Sequence, residues 1–298
     1  MFKVNVAMSA QRFRFRLGDF DCLVISDGTF AYPSPAQNVF INFFVNAPSA
    51  RLTQVLRRHN LDADSWTEYV SPYPCLVIDT GQHRVLIDTG AGSFSPTTGQ
   101  LVSGLHAEGI QPTDIDRVIL THAHPDHVGG NLDRDGKLAF PNATYMIGRD
   151  EWTFWTAQPN LGDLPIDDHG KQILVHVAQS NLHPLRDRID LIDPDEEIIP
   201  GIRCIAAPGH TPGHMAVEVT SARDQLLHIA DTVLHPIHLE EPNWHSAVAI
   251  HPHQVADTRR RILTTASKEK TLTLASHFPF PGVGHVRRQG EGWRWQPI

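Results

Sequence analysis

Thr121-His122-Ala123-His124-Pro125-Asp126-His127 follows the apolar run Val118-Ile119-Leu120 and gathers three histidines and a carboxylate within six residues. A strand that ends in such a cluster delivers several metal-binding side chains into one loop, and neutral imidazole with carboxylate suits zinc and related divalent ions. His122 and His124 alternate as i and i+2, so an extended backbone points both to one side. Asp126 and His127 follow where the chain curls toward the next helix, which lets them face a second point. Two metal ions fit that arrangement better than one. The competing reading is a solvated, histidine-rich surface loop.

Three further segments weigh against a surface loop. Pro208-Gly209-His210-Thr211-Pro212-Gly213-His214 brings a histidine into a tight Gly/Pro loop after the strand-like Ile202-Arg203-Cys204-Ile205. Leu226-Leu227-His228-Ile229-Ala230-Asp231 ends a second apolar run on a carboxylate, and Leu272-Thr273-Leu274-Ala275-Ser276-His277 ends a third on a histidine. An α/β fold gathers its chemistry at strand ends of this kind.

Composition sets the class. Of 298 residues, 41% are hydrophobic and 19% charged, ordinary values for a globular enzyme, and the length permits one large domain or two small ones. Nineteen histidines exceed usual abundance and point to metal chemistry. A formal net charge of −8 argues against a nucleic-acid partner, which calls for clustered Lys and Arg. The one basic run, Arg259-Arg260-Arg261, falls in a helical stretch and reads as a solvated face. Cys22, Cys75 and Cys204 show no CxxC spacing, so buried free thiols and a reducing, cytoplasmic setting are expected. The N-terminal residues contain no apolar leader and no apolar run approaches 18 residues, so neither a signal peptide nor a membrane span is expected.

Periodicity places the remaining elements. Arg12 to Leu17 alternates as a half-exposed strand, Gly18-Asp19 turns, and Phe20 to Gly28 continues as its partner. Residues 29–47 show no period and read as a long loop near the site; Pro48 to His59 reads as helix. Cys75–Asp79 and Arg84–Asp88 form a hairpin pattern. Helices are expected from Leu101 to near Gly109, over Arg149–Thr156, Lys171–Ser180 and Pro252–Ala266, with an exposed loop over 158–170. Val283 to Trp295 reads as a closing hairpin. These patterns alone define an α/β protein of one domain.

The ordered series from His122 to His277 resembles the metallo-β-lactamase superfamily, with its HxHxDH motif followed by single His, Asp and His ligands. The resemblance runs over roughly residues 20–298. It implies an αβ/βα sandwich, two mixed β-sheets packed face to face and flanked by helices, formed by 1–298 as a single domain with residues 1–19 as an N-terminal extension. It implies that His122, His124 and His210 hold one metal, that Asp126, His127 and His277 hold another, and that Asp231 bridges them. The cofactor expectation is two divalent ions, zinc by default, with Mn, Co or Fe admissible on the same ligands. A hydroxide bridging such a pair is a nucleophile at neutral pH, so hydrolysis is the implied reaction, with Asp231 and Asp126 as catalytic candidates. Asp126 reads either as a ligand alone or as a proton donor to the leaving group. Asp88, in Leu86-Ile87-Asp88-Thr89-Gly90, resembles the family's carboxylate that orients a ligand imidazole. His214 reads as structural.

For the substrate pocket, Trp152 and Trp155, three apart on one helical face, read either as core or as an aromatic wall. Phe94 is a further wall candidate, and His235, four residues past Asp231, a candidate at the rim.

Within the superfamily, Asp231 sets the chain apart from the β-lactamases. The interval from Asp231 to His277 leaves no room for the extra domain of RNA-processing members. The 21 residues after His277 are too few for the helical domain of glyoxalase II types, and His124 stands where flavodiiron proteins have glutamate. What remains resembles the methyl parathion hydrolase and N-acyl-homoserine lactone lactonase branch, with His277-Phe278-Pro279-Phe280-Pro281-Gly282-Val283-Gly284-His285-Val286 close to the former's ending. One departure is Leu234, where many lactonases place tyrosine. The expected partner is a small neutral ester, lactone or phosphotriester, with a second copy of the chain as a homodimer also admissible. The alternatives are an iron-dependent persulfide dioxygenase-like oxidoreductase and a non-catalytic metal-binding module of the same fold.

Overall fold

The computed structural model describes residues 11–33, 40–61 and 68–298. The first sheet runs in sequence order through β1 (Arg12–Leu17), β2 (Phe20–Pro33), β3 (Glu68–Asp79), β4 (Arg84–Ile87), β5 (Arg117–Leu120), β6 (Thr144–Gly148) and β7 (Ile189–Ile192). The second contains β8 (Glu197–Ile199), β9 (Ile202–Ala206), β10 (Met215–Ser221), β11 (Asp224–His228), β12 (Leu272–Leu274), β13 (Val283–Gln289) and β14 (Gly292–Pro297), again in sequence order. The helices are α1 (Phe40–Phe43), α2 (Ser49–Arg58), α3 (Leu101–Ala107), α4 (Pro125–Val128), α5 (Arg149–Thr156), α6 (Asp168–Leu182), α7 (Ile237–Glu240) and α8 (Pro252–Glu269).

Both sheets are mixed. β1 to β4 pair antiparallel and β4 to β7 parallel. In the second sheet only β11 and β12 are parallel.

Strand alternation splits the apolar residues between layers. Cys22, Val24, Leu76 and Ile78 face the second sheet and pack against Cys204, Val217, Leu226 and Leu274. Their neighbours Leu23, Ile25, Cys75 and Val77 face outward under α3, α5 and α6, meeting Leu105, Trp155 and Leu182. The second sheet's outer side packs Ala216, Leu227 and Val286 on Ile262, Leu263 and Ala266 of α8. The four layers are the αβ/βα sandwich. Cys22, Cys75 and Cys204 are buried and unpaired, and burial pushes the Cys22 and Cys204 thiols up to about 12. Among the described residues no helix is long and apolar enough to cross a membrane.

Several boundaries differ from the periodic reading. Arg12–Leu17, counted above in the N-terminal extension, forms the edge strand of the first sheet; residues 1–10 lie outside the described ones. β2 runs on to Pro33, into the stretch expected to be a loop, because a register shift between Ser26 and Thr29 interrupts its alternation. Residues 34–39 of that stretch lie outside the described ones. β3 begins at Glu68, seven residues before the expected start, and Pro72 and Pro74 conceal it. Both prolines sit where β3 pairs with β2 alone, β4 joining only from Leu76, and there a strand tolerates a missing N–H. α6 starts at Asp168, capped by the Asp167 carboxylate accepting from the Gly170 N–H at 2.7 Å.

Candidate metal centre

The parallel strands β4 and β5 of one sheet and β11 and β12 of the other end at a common rim, which is where an α/β fold gathers ligand-binding side chains. β5 leads into Thr121–His127, with Pro125 at the first position of α4 turning Asp126 and His127 away from His122 and His124. β9 leads to His210, β11 to Asp231 and β12 to His277. The Met215 N–H donates to the Thr121 carbonyl at 3.0 Å, tying the two sheets together beside the site.

Two groups of side chains converge there. His122, His124, His210 and Asp231 present atoms within 4.8 Å of one another, and so do Asp126, His127, Asp231 and His277. Asp231 belongs to both. Its Oδ2 lies 3.0 Å from His210 Nε2 and 3.6 Å from His122 Nε2, while its Oδ1 lies 3.1 Å from His127 Nε2 and 3.0 Å from His277 Nε2. One carboxylate therefore offers one oxygen to each group.

The donor set fits cations. The Nε2 atoms of His122 and His127 are buried without an aligned hydrogen bond among the described residues, and His127 Nε2 lies 3.1 Å from Asp231. His124 Nδ1 and His210 Nε2 sit 2.8 Å apart. Two neutral imidazoles cannot hold that separation through lone pairs alone, so a proton or a cation belongs between them. Burial, then the neighbouring imidazoles, holds His122 and His124 well below the usual histidine range, the neutral form a metal needs. At His127 and His277 burial acts in the same direction, but Asp231 and the other carboxylates outweigh it and hold them above that range. Burial opposes ionisation of Asp231 too, yet four imidazoles, His277 first, keep its carboxyl well below the carboxylate range. The site thus favours positive charge around one shared carboxylate.

A second set of residues fixes the first. Asp88, at φ 58 just after β4, accepts from His127 Nδ1 at 2.7 Å and from the Thr121 N–H and hydroxyl at 2.8 Å each. It is placed to orient the His127 imidazole. His214 Nδ1 donates to the Ala207 carbonyl at 2.9 Å, which leaves Nε2 to accept the Asp231 N–H at 3.0 Å. Three alternate residues of β3 serve His277: the Tyr69 hydroxyl donates to its carbonyl at 3.1 Å, Ser71 Oγ meets its Nδ1 at 2.9 Å, and the Tyr73 ring packs edge-on at 5.8 Å. Their i, i+2, i+4 spacing was the available signal, hidden by Pro72 among them and Pro74 just after. Glu151, also absent from the sequence reading, lies fully buried in α5.

A cavity of about 280 Å³ opens over the two groups. His124, Asp126, His210, Asp231 and His277 form its floor, with Tyr32 and Tyr73 beside them. Phe30, Phe94, Ile173, Leu174, Leu234 and Val248 contribute apolar wall, and no Arg or Lys lines it among the described residues.

Three pocket candidates from the sequence, two for the wall and one for the rim, lie elsewhere. Trp155 is fully buried in the core, donating its indole N–H to Glu151 at 2.7 Å with its ring behind His124. Trp152 packs at the margin of the same core. His235 is turned from the cavity, its ring between Phe44 and Tyr69 and its Nδ1 accepting the Ile237 N–H at 3.1 Å. For the two tryptophans the reason is that α5 turns its aromatic side onto the first sheet, and α6 with Phe30 and Phe94 forms the wall instead; His235 is held away by its packing on Phe44 and Tyr69. Phe94 does line the cavity.

Two adjoining groups of His and Asp side chains, each able to hold a cation and sharing one aspartate at the rim of an αβ/βα sandwich, form the donor arrangement of a binuclear metal centre. The chain belongs to the metallo-beta-lactamase superfamily, whose family model matches residues 69–277. An N-acyl homoserine lactonase from Bacillus sp. is 27% identical over 172 residues, 51% of this chain and 60% of the relative, so the chain spans about three fifths of that protein. Among solved structures, the dizinc quorum-quenching lactonase AidC, in complex with a product, superposes with a TM-score of 0.88 at 25% identity, covering 97% of this chain and 98% of its own. The hydrolase AbOPH of the beta-lactamase superfamily gives 0.85 at 28% identity over 98% and 99%.

Proposed function

We propose that this protein is a metal-dependent hydrolase of neutral, hydrophobic esters and lactones, with phosphotriesters as further substrates, and that it works with two divalent ions, zinc in the first instance. The observation that carries the reading is the Asp231 carboxylate, one oxygen toward each histidine group, at the floor of a largely apolar cavity that no Arg or Lys lines among the described residues. His122, His124 and His210 would hold one ion, Asp126, His127 and His277 the other, and Asp231 both. Ions held there would supply a water-derived nucleophile at neutral pH and a Lewis acid for the substrate's oxygen.

The chain's own residues do the rest. Phe30, Phe94, Leu174 and Leu234 exclude water and take up apolar substituents. The absence of Arg and Lys from the described lining disfavours phosphate dianions and carboxylate tails. Burial and then neighbouring charge keep the Tyr73 and Tyr32 phenols protonated, and their hydroxyls lie 3.0 Å apart. That pair uses one of its two protons internally and leaves the other for a substrate oxygen. Asp126, the most exposed member of the two groups, is the candidate to pass a proton to the leaving oxygen. The lactonase relatives support the same bond class.

A parallel screen of metal-replete protein against aryl esters, acyl-homoserine lactones, phosphotriesters, β-lactams and phosphodiesters tests the reading. Neutral esters and lactones should lead. A clear preference for a β-lactam or an anionic phosphodiester would overturn it.

A further inference from the structure

Glu151 is a carboxylate with no exposed surface, placed in the first turn of α5 behind the cavity floor. One oxygen accepts from the Ala123 N–H at 2.9 Å and the Trp155 indole at 2.7 Å. The other accepts from the Thr211 hydroxyl at 2.7 Å and the Gly213 N–H at 3.0 Å. Ala123 stands between His122 and His124, and Thr211 follows His210. A single carboxylate therefore grips both loops that carry the first histidine group, and grips them mostly by backbone. The approach is close: a Cβ at Gly213 would fall 2.1 Å from the Glu151 nitrogen. Asp126, His127 and His277 receive nothing from Glu151; Asp88 and Ser71 serve that group.

We propose that Glu151 is the positioning residue of the first metal site alone, clamping the His122–His124 loop to the His210 loop so that three imidazoles converge on one ion. The proposal rests on the metal reading given above. All four donors saturate both oxygens, so Glu151 has no capacity left to ligate an ion itself. Glutamine cannot substitute, because its amide would aim N–H groups at donors. The Thr211 hydroxyl can rotate to accept, but the backbone N–H of Ala123 or Gly213 cannot, so one loop must detach.

The test uses the whole chain and zinc or cobalt(II) as the probe. Stepwise affinities are measured by competition with a chelator, and cobalt spectra are recorded for native protein, Glu151→Gln, Thr211→Val and, as the reciprocal case, Asp88→Asn. Native protein should bind two ions. Glu151→Gln should weaken one site by about 10- to 100-fold, the usual loss when a partner of a ligand is removed, and leave the other unchanged. Thr211→Val should weaken the same site by less. Asp88→Asn should weaken the other site more than the first, because it meets His127 directly and His122 only through Thr121, and the two half-loaded cobalt spectra should differ. Native affinities at both sites in Glu151→Gln, equal weakening of both, or a spectrum matching that of Asp88→Asn would overturn the proposal. Should Glu151→Gln fail to fold, unchanged first-site affinity in Thr211→Val overturns it instead. Native protein that binds no ion at all would sink the metal reading itself.

Discussion

Replacing Asp231 with asparagine changes one atom and should separate the two metal sites. The native carboxylate gives Oδ2 to His210 and His122 and Oδ1 to His127 and His277, at 3.0 to 3.6 Å. Asparagine retains one acceptor oxygen; its NH2 group must then face a pair of imidazole nitrogens across the same distance. Whichever way the amide settles, both sites lose the shared negative charge, and one of them meets an N–H donor where an oxygen ligand stood. Removing one partner from a buried charge pair costs roughly 3–5 kcal/mol, which corresponds to about a hundred- to several-thousand-fold in affinity. Metal content at fixed free zinc should fall from two toward one per chain, and turnover of an aryl ester should drop by orders of magnitude. The far-UV circular dichroism spectrum should be retained, since both sheets pack away from this atom. A folded Asp231→Asn protein with two tightly held ions and near-native turnover would refute the assignment of the shared ligand.

Three smaller predictions follow the same geometry. Tyr73→Phe keeps the ring against His277 and removes the hydroxyl, so metal content should hold while kcat falls about 10- to 100-fold, the worth of a hydrogen bond to a charged group; unchanged kcat would exclude that donor. His235→Ala should leave turnover close to native, because the ring is turned from the cavity, and should cost roughly 0.5–3 kcal/mol of stability in denaturant titration. Glu240 is held down to about 2, first by its hydrogen bond from His59 and then by Arg58, so its folded value lies below its unfolded one. Its contribution is present above about pH 4.5 and is lost as pH falls toward 2, and Glu240→Gln should flatten that part of the Tm–pH curve; parallel curves would show the pair adds nothing.

The ligand series was legible in the sequence because its signals are local. His122, His124, Asp126 and His127 share one short stretch, His210 sits in a Gly/Pro loop after a strand-like run, and Asp231 and His277 each end an apolar run. Alternation likewise marked the half-exposed β1, and continuous apolar runs marked the strands buried on both faces. Local pattern failed where it was interrupted. Pro72 and Pro74 hid the first half of β3, and with it Ser71 and Tyr73, which lie 206 and 204 residues from the histidine they support. The register shift in β2 hid the strand that brings Tyr32 to the cavity.

The sequence by itself determined which chemical groups the protein can bring to a cation and in what order the strands deliver them, since both follow from residue type and spacing along a few positions. Only the tertiary structure decided which oxygen of Asp231 meets which histidines, that Glu151 clamps two loops, and that Trp155 fills the core while Leu174 and Phe94 face the cavity. Those outcomes depend on how two sheets and the helices over them pack. A helical period specifies that a side is apolar, and the neighbour that side meets determines whether it becomes core or wall.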